Sequence, residues 1–246
     1  MLKNKNIVVY TCISGFYDDL LPPREVESGI DYICLTDQSS LHIAGWKMQP
    51  IPSEFGQFAL ANRFAKMHPH LIFPEYELSV YIDGNIEIIS ELRLLVQQAL
   101  VSKDIALYDH PFRNCVYEEA RECAAIGHDW HWTIKKQMKI YKQNNFPVSH
   151  GMFECNIIIR RHNSPAVRSL MDAWWDEFNN GVKRDQLSFT YLAWRLRVVI
   201  QSLGKSDHRL SRRNFSLSIG HRLNTNRFNQ IRGFINRKIL QYFAWN

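Results

Sequence analysis

Short apolar runs bounded by turn residues alternate along this chain with longer stretches whose apolar residues recur three and four apart. Residues 7–13 are β-branched and aromatic, and a Gly15-Phe16-Tyr17-Asp18-Asp19 loop and a Pro22-Pro23 break close them off, the pattern of a buried strand. Residues 31–36 predict a second strand ending at Asp37. Residues 78–82 predict a third, which stops at Asp83-Gly84-Asn85 before a β-like piece over 86–89. Between these two, Phe58, Ala61, Phe64, Ala65 and Met67 fall at helical spacing with Arg63 and Lys66 beside them, and Pro69 and Pro74 end the helix. The pattern then predicts a helix over 91–101, a strand over 105–108 delivering Asp109-His110-Pro111 to a loop, and a long helical region over 117–144. A strand over 155–159 follows, and Ser164-Pro165, an N-cap with proline at the first helical position, opens a helix to about residue 179. Arg184-Asp185-Gln186 starts another helix over 187–196, and 198–200 reads as a last strand. Strands alternating with helices predict a single α/β domain with a mostly parallel central sheet flanked by helices.

Composition narrows this picture. The chain has 246 residues, 46% hydrophobic and 22% charged, and its 11 Gly and 9 Pro leave little for a long linker, so one globular domain is expected. No apolar run reaches the length of a membrane span, and residues 1–6 lead into the first strand without the pattern of a signal peptide. Cys12, Cys34, Cys115, Cys123 and Cys155 are odd in number and widely spaced. With no Cys-x-x-Cys pair they point to a reducing cytoplasm, where the Asn214-Phe215-Ser216 sequon stays unglycosylated.

The net charge of +6 divides unevenly: residues 205–246 carry nine basic residues against Asp207, a balance of +8, while residues 1–204 carry 21 against 23. The expected division is therefore a near-neutral body over 1–204 and a basic aromatic extension over 205–246 that packs on the domain or touches a membrane. Positions 231, 234, 235, 239 and 242 form an apolar stripe interleaved with Arg227, Arg232, Arg237 and Lys238, the pattern of a basic amphipathic interfacial helix or of a helix packed on the core.

Three clusters carry candidate chemistry. Asp83 and Asn85, two residues apart after a buried strand, suit a hard divalent cation at the carboxyl edge of a sheet, although Asp-Gly between β-like runs is also a hairpin signal. Arg184-Asp185-Gln186 is either a helix cap or a charged site. Glu154 and Asn156 share one side of a strand and are edge-exposed or ligand-facing.

In order, Tyr10-Thr11-Cys12-Ile13-Ser14-Gly15, Asp31-Tyr32-Ile33-Cys34-Leu35-Thr36-Asp37, Tyr81-Ile82-Asp83-Gly84-Asn85-Ile86, His110-Pro111, Arg161-His162-Asn163 and Arg184-Asp185-Gln186-Leu187-Ser188-Phe189 resemble a glycosyltransferase-like family. That family includes a plant seed-mucilage protein and bacterial polysaccharide-cluster proteins and has the nucleotide-diphospho-sugar transferase, GT-A-like fold. The resemblance spans about residues 7–200. It implies sugar transfer from a nucleotide-diphospho-sugar to a glycan or lipid-linked acceptor in surface polysaccharide synthesis, assisted by Mn²⁺ or Mg²⁺ and with retention. Asp83 and Asn85 would stand at the fold's metal-binding Asp-x-Asp, an amide replacing the second carboxylate, with His221 completing the metal site. Arg63, Lys66, Thr11, Asp37, Glu154 and Asn156 would bind the nucleotide-sugar, Asp185 and Gln186 would act at the sugar, and His110 and His162 would line the acceptor cleft.

The plain alternatives are a solvated helix face for Arg63 and Lys66, a surface histidine in a basic tail for His221, and turn hydrogen bonds for His110 and His162. The expected location is cytoplasmic, with peripheral contact at the inner face of the membrane and no nucleic acid. Two rival functions remain: a nucleic-acid-binding protein whose basic aromatic tail tracks phosphates, and a catalytically silent relative that binds a glycan.

Overall fold

The computed structural model describes residues 7–15, 18–56, 58–206, 213–217 and 227–242. Seven strands form the main sheet: β1 (Ile7–Ile13), β2 (Ile30–Thr36), β3 (Lys47–Pro50), β4 (Leu78–Ile82), β6 (Ile105–Asp109), β7 (Phe153–Arg160) and β8 (Gln201–Lys205). Their order is β3-β2-β1-β4-β7-β6-β8. β1 pairs in parallel with β2 and β4, as do β2 with β3 and β6 with β8, whereas β7 runs against both neighbours. The carboxyl ends of β1, β2, β4 and β6 and the amino end of β7 therefore share one edge.

β1 is buried at every position, as its unbroken apolar run predicts for a central strand. Its side chains alternate between two cores, Val8, Tyr10 and Cys12 into one and Ile7, Val9 and Ile13 into the other. Helices α1 (Ala59–Met67), α4 (Val116–Ile126), α5 (His131–Gln143), α6 (Pro165–Asn180) and α7 (Asp185–Arg195) cover the first face. The second is covered by α3 (Arg93–Ala99) and a ribbon of β5 (Ile86–Ile88) with β9 (Phe215–Leu217). Burying each large apolar side chain, such as Trp174 or Phe215, contributes roughly 1.5–3 kcal/mol.

Several boundaries differ from those the pattern predicts. The turn at Asp83 closes with Ile86 N donating to Asp83 O at 3.0 Å, but no hairpin follows, because β5 leaves the main sheet and pairs antiparallel with β9. The region expected as one helix over 117–144 breaks at Gly127, whose φ of 82° is a left-handed C-cap. Pro69 opens the short helix α2 (Pro69–Ile72) instead of ending a segment, its ring sitting at the first turn, where no amide is needed. The last predicted strand lies later, at β8. Ser164 does precede α6, but its hydroxyl donates to Asp104 Oδ2 at 2.7 Å and leaves the helix amides uncapped by the side chain.

Two described pieces of the basic extension, residues 213–217 and 227–242, pack against the domain. Phe215 is fully buried in the second core, and α8 (Arg227–Tyr242) lies along α4. α8 docks through small and polar residues: a Cβ on Gly127 would meet Asn229 O at 2.2 Å, and Asn236 Nδ2 donates to Ala124 O at 2.9 Å and to Asp129 O at 2.8 Å. Ile231, Phe234 and Ile235 of the predicted apolar stripe are exposed, so the stripe is not what packs on the core. Among the described residues no helix is long and apolar enough to cross a membrane.

Candidate active site

Asp185 is the centre of a charge cluster at the carboxyl edge. It is 3% exposed, the first residue of α7, and α6 holds it through Trp174 Nε1, which donates to Asp185 O at 2.9 Å. Its two carboxylate oxygens have separate partners. Oδ1 accepts from Gln186 N at 3.0 Å, a local cap, while Oδ2 takes Lys66 Nζ at 2.7 Å and Arg63 Nε at 3.2 Å. Burial alone would raise its pKa, yet the charges of Arg63, Lys66 and Arg184 hold the carboxyl well below the usual range. Asp185 is thus a permanent anion.

Arg63 and Lys66 reach it together because residues three apart share one face of α1. The alternative of a solvated helix face does not hold for Lys66, which is 2% exposed. α1 itself is pinned to the sheet: Tyr10 Oη donates to Ala65 O at 3.1 Å, Arg160 Nη2 donates to Lys66 O at 2.6 Å and to Tyr10 Oη, and Asn62 Nδ2 donates to Cys12 O at 2.6 Å. Arg160 is fully buried at the end of β7, so it pairs with backbone and hydroxyl oxygens where no water competes.

Lys66 also links Asp185 to Asp83, lying 3.6 Å from Asp83 Oδ1, which accepts from Tyr81 Oη at 2.8 Å. Asp83 N donates to Asn156 O at 2.8 Å, fixing the turn against the start of β7. Gly84 lets neighbouring side chains close on the turn, since a Cβ there would meet Asp18 Oδ2 and Ile13 Cδ1 at 2.9 Å each. Asp18 thereby brings a second carboxylate to the turn. Beside the cluster lies Cys155, whose thiol burial pushes up while Lys66 draws it down.

Asp37 closes the neighbouring loop, accepting from Ser14 Oγ at 2.5 Å and from Gly15 N at 3.1 Å, so the ends of β1 and β2 are tied together. Gln186 accepts from Arg184 Nη2 at 2.8 Å. His110 sits at this edge, its Nδ1 accepting from Arg113 N at 3.0 Å.

The remaining sequence candidates sit differently. Thr11 is fully buried within β1 and does not open onto the edge. His162 follows the end of β7, at the opposite edge of the sheet, buried with Nε2 3.0 Å from Phe73 O, so the acceptor-cleft assignment fails for it: β7 runs antiparallel. Glu154 and Asn156 are buried at the correct edge, but the β6–β7 register slips between Leu107 and Tyr108, interrupting the two-residue repeat that would put them on one face. His221 and position 242's side chain lie outside the described residues. Sequence reasoning missed Asn62, Tyr81, Arg160 and Asp18. Tyr81, alternating with Asp83 after an apolar run, offered the one usable signal.

A divalent cation fits the Asp83 turn in part. Both contacts of Asp83 fall on Oδ1, its side chain is 29% exposed, and Asp18 adds a second carboxylate nearby, a donor set for a hard ion that completes its shell with water and phosphate. Among the described residues no group of three or more His, Cys, Asp and Glu gathers as a ready-made metal site.

A sheet of order 3-2-1-4 with charged residues at its carboxyl edge, where the order reverses beside β1, is the ligand-binding arrangement of nucleotide-handling α/β proteins. The WbbM bifunctional glycosyltransferase has a similar fold, with a TM-score of 0.52 at 10% identity over 82% of this chain and 39% of that one. Mouse xyloside xylosyltransferase 1 superposes with a TM-score of 0.46 at 12% identity over 80% and 84% of the two chains. The fold is that of GT-A-like glycosyltransferases. Residues 35–221 match the TOD1/MUCI70 glycosyltransferase-like domain, and the chain belongs to that family. It is 22% identical to the probable hexosyltransferase MUCI70 of Arabidopsis thaliana, over 93% of this chain and 44% of that protein, so it spans less than half of that relative.

Proposed function

We propose that this chain transfers a hexosyl group from a nucleotide-diphospho-sugar to a hydroxyl of a glycan or lipid-linked acceptor, with retention, in surface polysaccharide assembly. The observation that supports this most is the convergence of Arg63, Lys66 and Asp185 beside Asp83 at the switch point of the sheet. In the reaction the bond from the anomeric carbon to the diphosphate oxygen breaks with its electron pair staying on that oxygen, a bond to the acceptor oxygen forms, and the acceptor proton passes to the departing diphosphate. Negative charge grows on the departing diphosphate, and preorganised cations that need not reorient stabilise it. Arg63, 25% exposed, is the cation of the cluster that a diphosphate can reach where it stands, while buried Lys66 holds the two carboxylates in place. Asp185, ionised and rigid, faces the positive charge that builds on the sugar ring, and Gln186 orients it through its backbone amide. A divalent ion held by Asp83, with Asp18 and Asn85 at the same turn, would supply further charge to the leaving group when bound.

A thermal-shift panel of nucleoside diphosphates, each with and without Mn²⁺, tests the reading. One base should raise the melting temperature by about 5–10 °C at a hundredfold excess over its Kd, more so with the metal. A chain that no nucleoside diphosphate stabilises is not a nucleotide-sugar transferase, and stabilisation by oligosaccharide alone would identify the silent glycan-binding relative instead.

A further inference from the structure

We propose that α5 and α8 together form a docking surface for a bilayer carrying anionic lipids. Each helix carries four Lys or Arg residues, and neither contains an Asp or Glu. Both also present large apolar side chains to solvent: Trp132 and Ile140 on α5, and Phe228, Ile231, Phe234 and Ile235 on α8. The docking of α8 explains its share. Gly233 approaches the end of α4 so closely that its Cβ would lie 3.1 Å from Ala125 O, and Asn236 is buried against the same segment, so the apolar stripe must face out.

Aromatic contacts join the two helices into one patch. Trp130 stacks on Trp132 with centroids 4.7 Å apart and meets the Phe228 ring edge-on at 6.1 Å. Cations flank the apolar residues on both sides. Lys136 and Lys139 share the α5 face of Trp132 and Ile140, and Lys238 Nζ lies 5.8 Å from the Phe234 ring. Water-facing surfaces rarely carry apolar residues contiguously. Tryptophan and phenylalanine among unopposed cations are the chemistry of interfacial segments, whose rings enter the headgroup region while the cations meet lipid phosphates.

Charge selects among occupants. A second copy of this face would oppose cations with cations, and a nucleic acid would leave the apolar side chains in water. The proposal stands apart from the transferase reading and does not need it.

Flotation of the full chain with vesicles tests it. Binding is expected to vesicles of equal parts phosphatidylcholine and phosphatidylglycerol, not to phosphatidylcholine alone, and to fall as salt rises. At about fivefold per cation, Lys136→Ala with Lys139→Ala should weaken partitioning about 30-fold. The triple variant Phe228→Ser, Ile231→Ser and Phe234→Ser should abolish flotation while leaving thermal unfolding within about 2 °C, because all three side chains are exposed. No flotation, flotation indifferent to phosphatidylglycerol, or unchanged binding by both variants overturns the proposal. So does dimerisation or nucleic-acid retention that the triple variant abolishes in a chain that fails to bind vesicles.

Discussion

Replacing Lys66 with methionine tests the electrostatic core of the site. The substitution keeps the volume and removes one charge from a group 2% exposed that lies 2.7 Å from Asp185 Oδ2. Removing one partner of a buried ion pair typically costs 3–5 kcal/mol, because the other charge is left without compensation. Here Asp185 keeps Arg63 at 3.2 Å, so the lower end, about 3 kcal/mol, is expected. In a domain of this size that is a fall of about 6–12 °C in melting temperature. The double variant Lys66→Met with Asp185→Asn removes both charges and should recover much of the loss, a coupling of about 2 kcal/mol in the thermodynamic cycle. Thermal unfolding followed by circular dichroism at neutral pH measures the parent, the two single variants and the double variant. The pH dependence carries a second signature. The Asp185 pKa is depressed in the folded chain, so its contribution is complete above the ordinary carboxylate pKa of about 4 and is lost only as pH falls below it. A Lys66→Met protein that melts within about 2 °C of the parent, or a double variant whose loss is the sum of the singles, would refute this account.

Other predictions follow from single contacts. Tyr10→Phe removes the hydroxyl that donates to Ala65 O and accepts from Arg160, leaving buried groups short of partners. It should cost about 1–3 kcal/mol in denaturant unfolding, and no loss would contradict the anchoring of α1. Gly127→Ala places a Cβ 2.2 Å from Asn229 O at a φ of 82° and should destabilise by about 1–3 kcal/mol, with faster proteolytic cleavage of α8 than in the parent. His162 is buried mainly at the cost of its charged form, its pKa pushed down to about 4. The unfolded chain therefore takes up this proton first, and folding stability should fall as pH drops from about 6.5 to 4, by at most about 3 kcal/mol. His162→Gln should flatten that slope, and an unchanged slope would show that the group is solvated.

The strands and helices that build the site were legible because their burial is uniform. β1 and β4 are buried at every position and β2 at all but Asp31, and α6 and α7 carry their start signals at Ser164-Pro165 and Asp185. The face shared by Arg63 and Lys66 follows from spacing alone, but their joint target does not: Asp185 lies more than a hundred residues away and arrives only because α6 and α7 fold back over the first face. Edge elements were illegible for a different reason. β3 is solvent-exposed and has no apolar alternation, and β9 is three residues long and specified by its pairing with β5. α8 shows the limit of periodicity. Its stripe at 231, 234 and 235 marks an amphipathic helix, yet the small side of the helix, Gly233 against Gly127, decides which face docks. His162 shows the same limit for chemistry, since a histidine in a motif carries no information about which end of an antiparallel strand it occupies.

The central claim is that the cluster of Asp83, Lys66, Asp185 and Arg63 is a nucleotide-sugar site. Release of nucleoside diphosphate from a panel of nucleotide-sugars, compared between the parent chain and Asp83→Ala, measures it most directly. The account predicts release from one donor by the parent, and at least a hundredfold less by the variant, whose partly exposed carboxylate can be lost at a cost of about 1 kcal/mol in stability. Equal release by both proteins, or none by either from any donor, would contradict it.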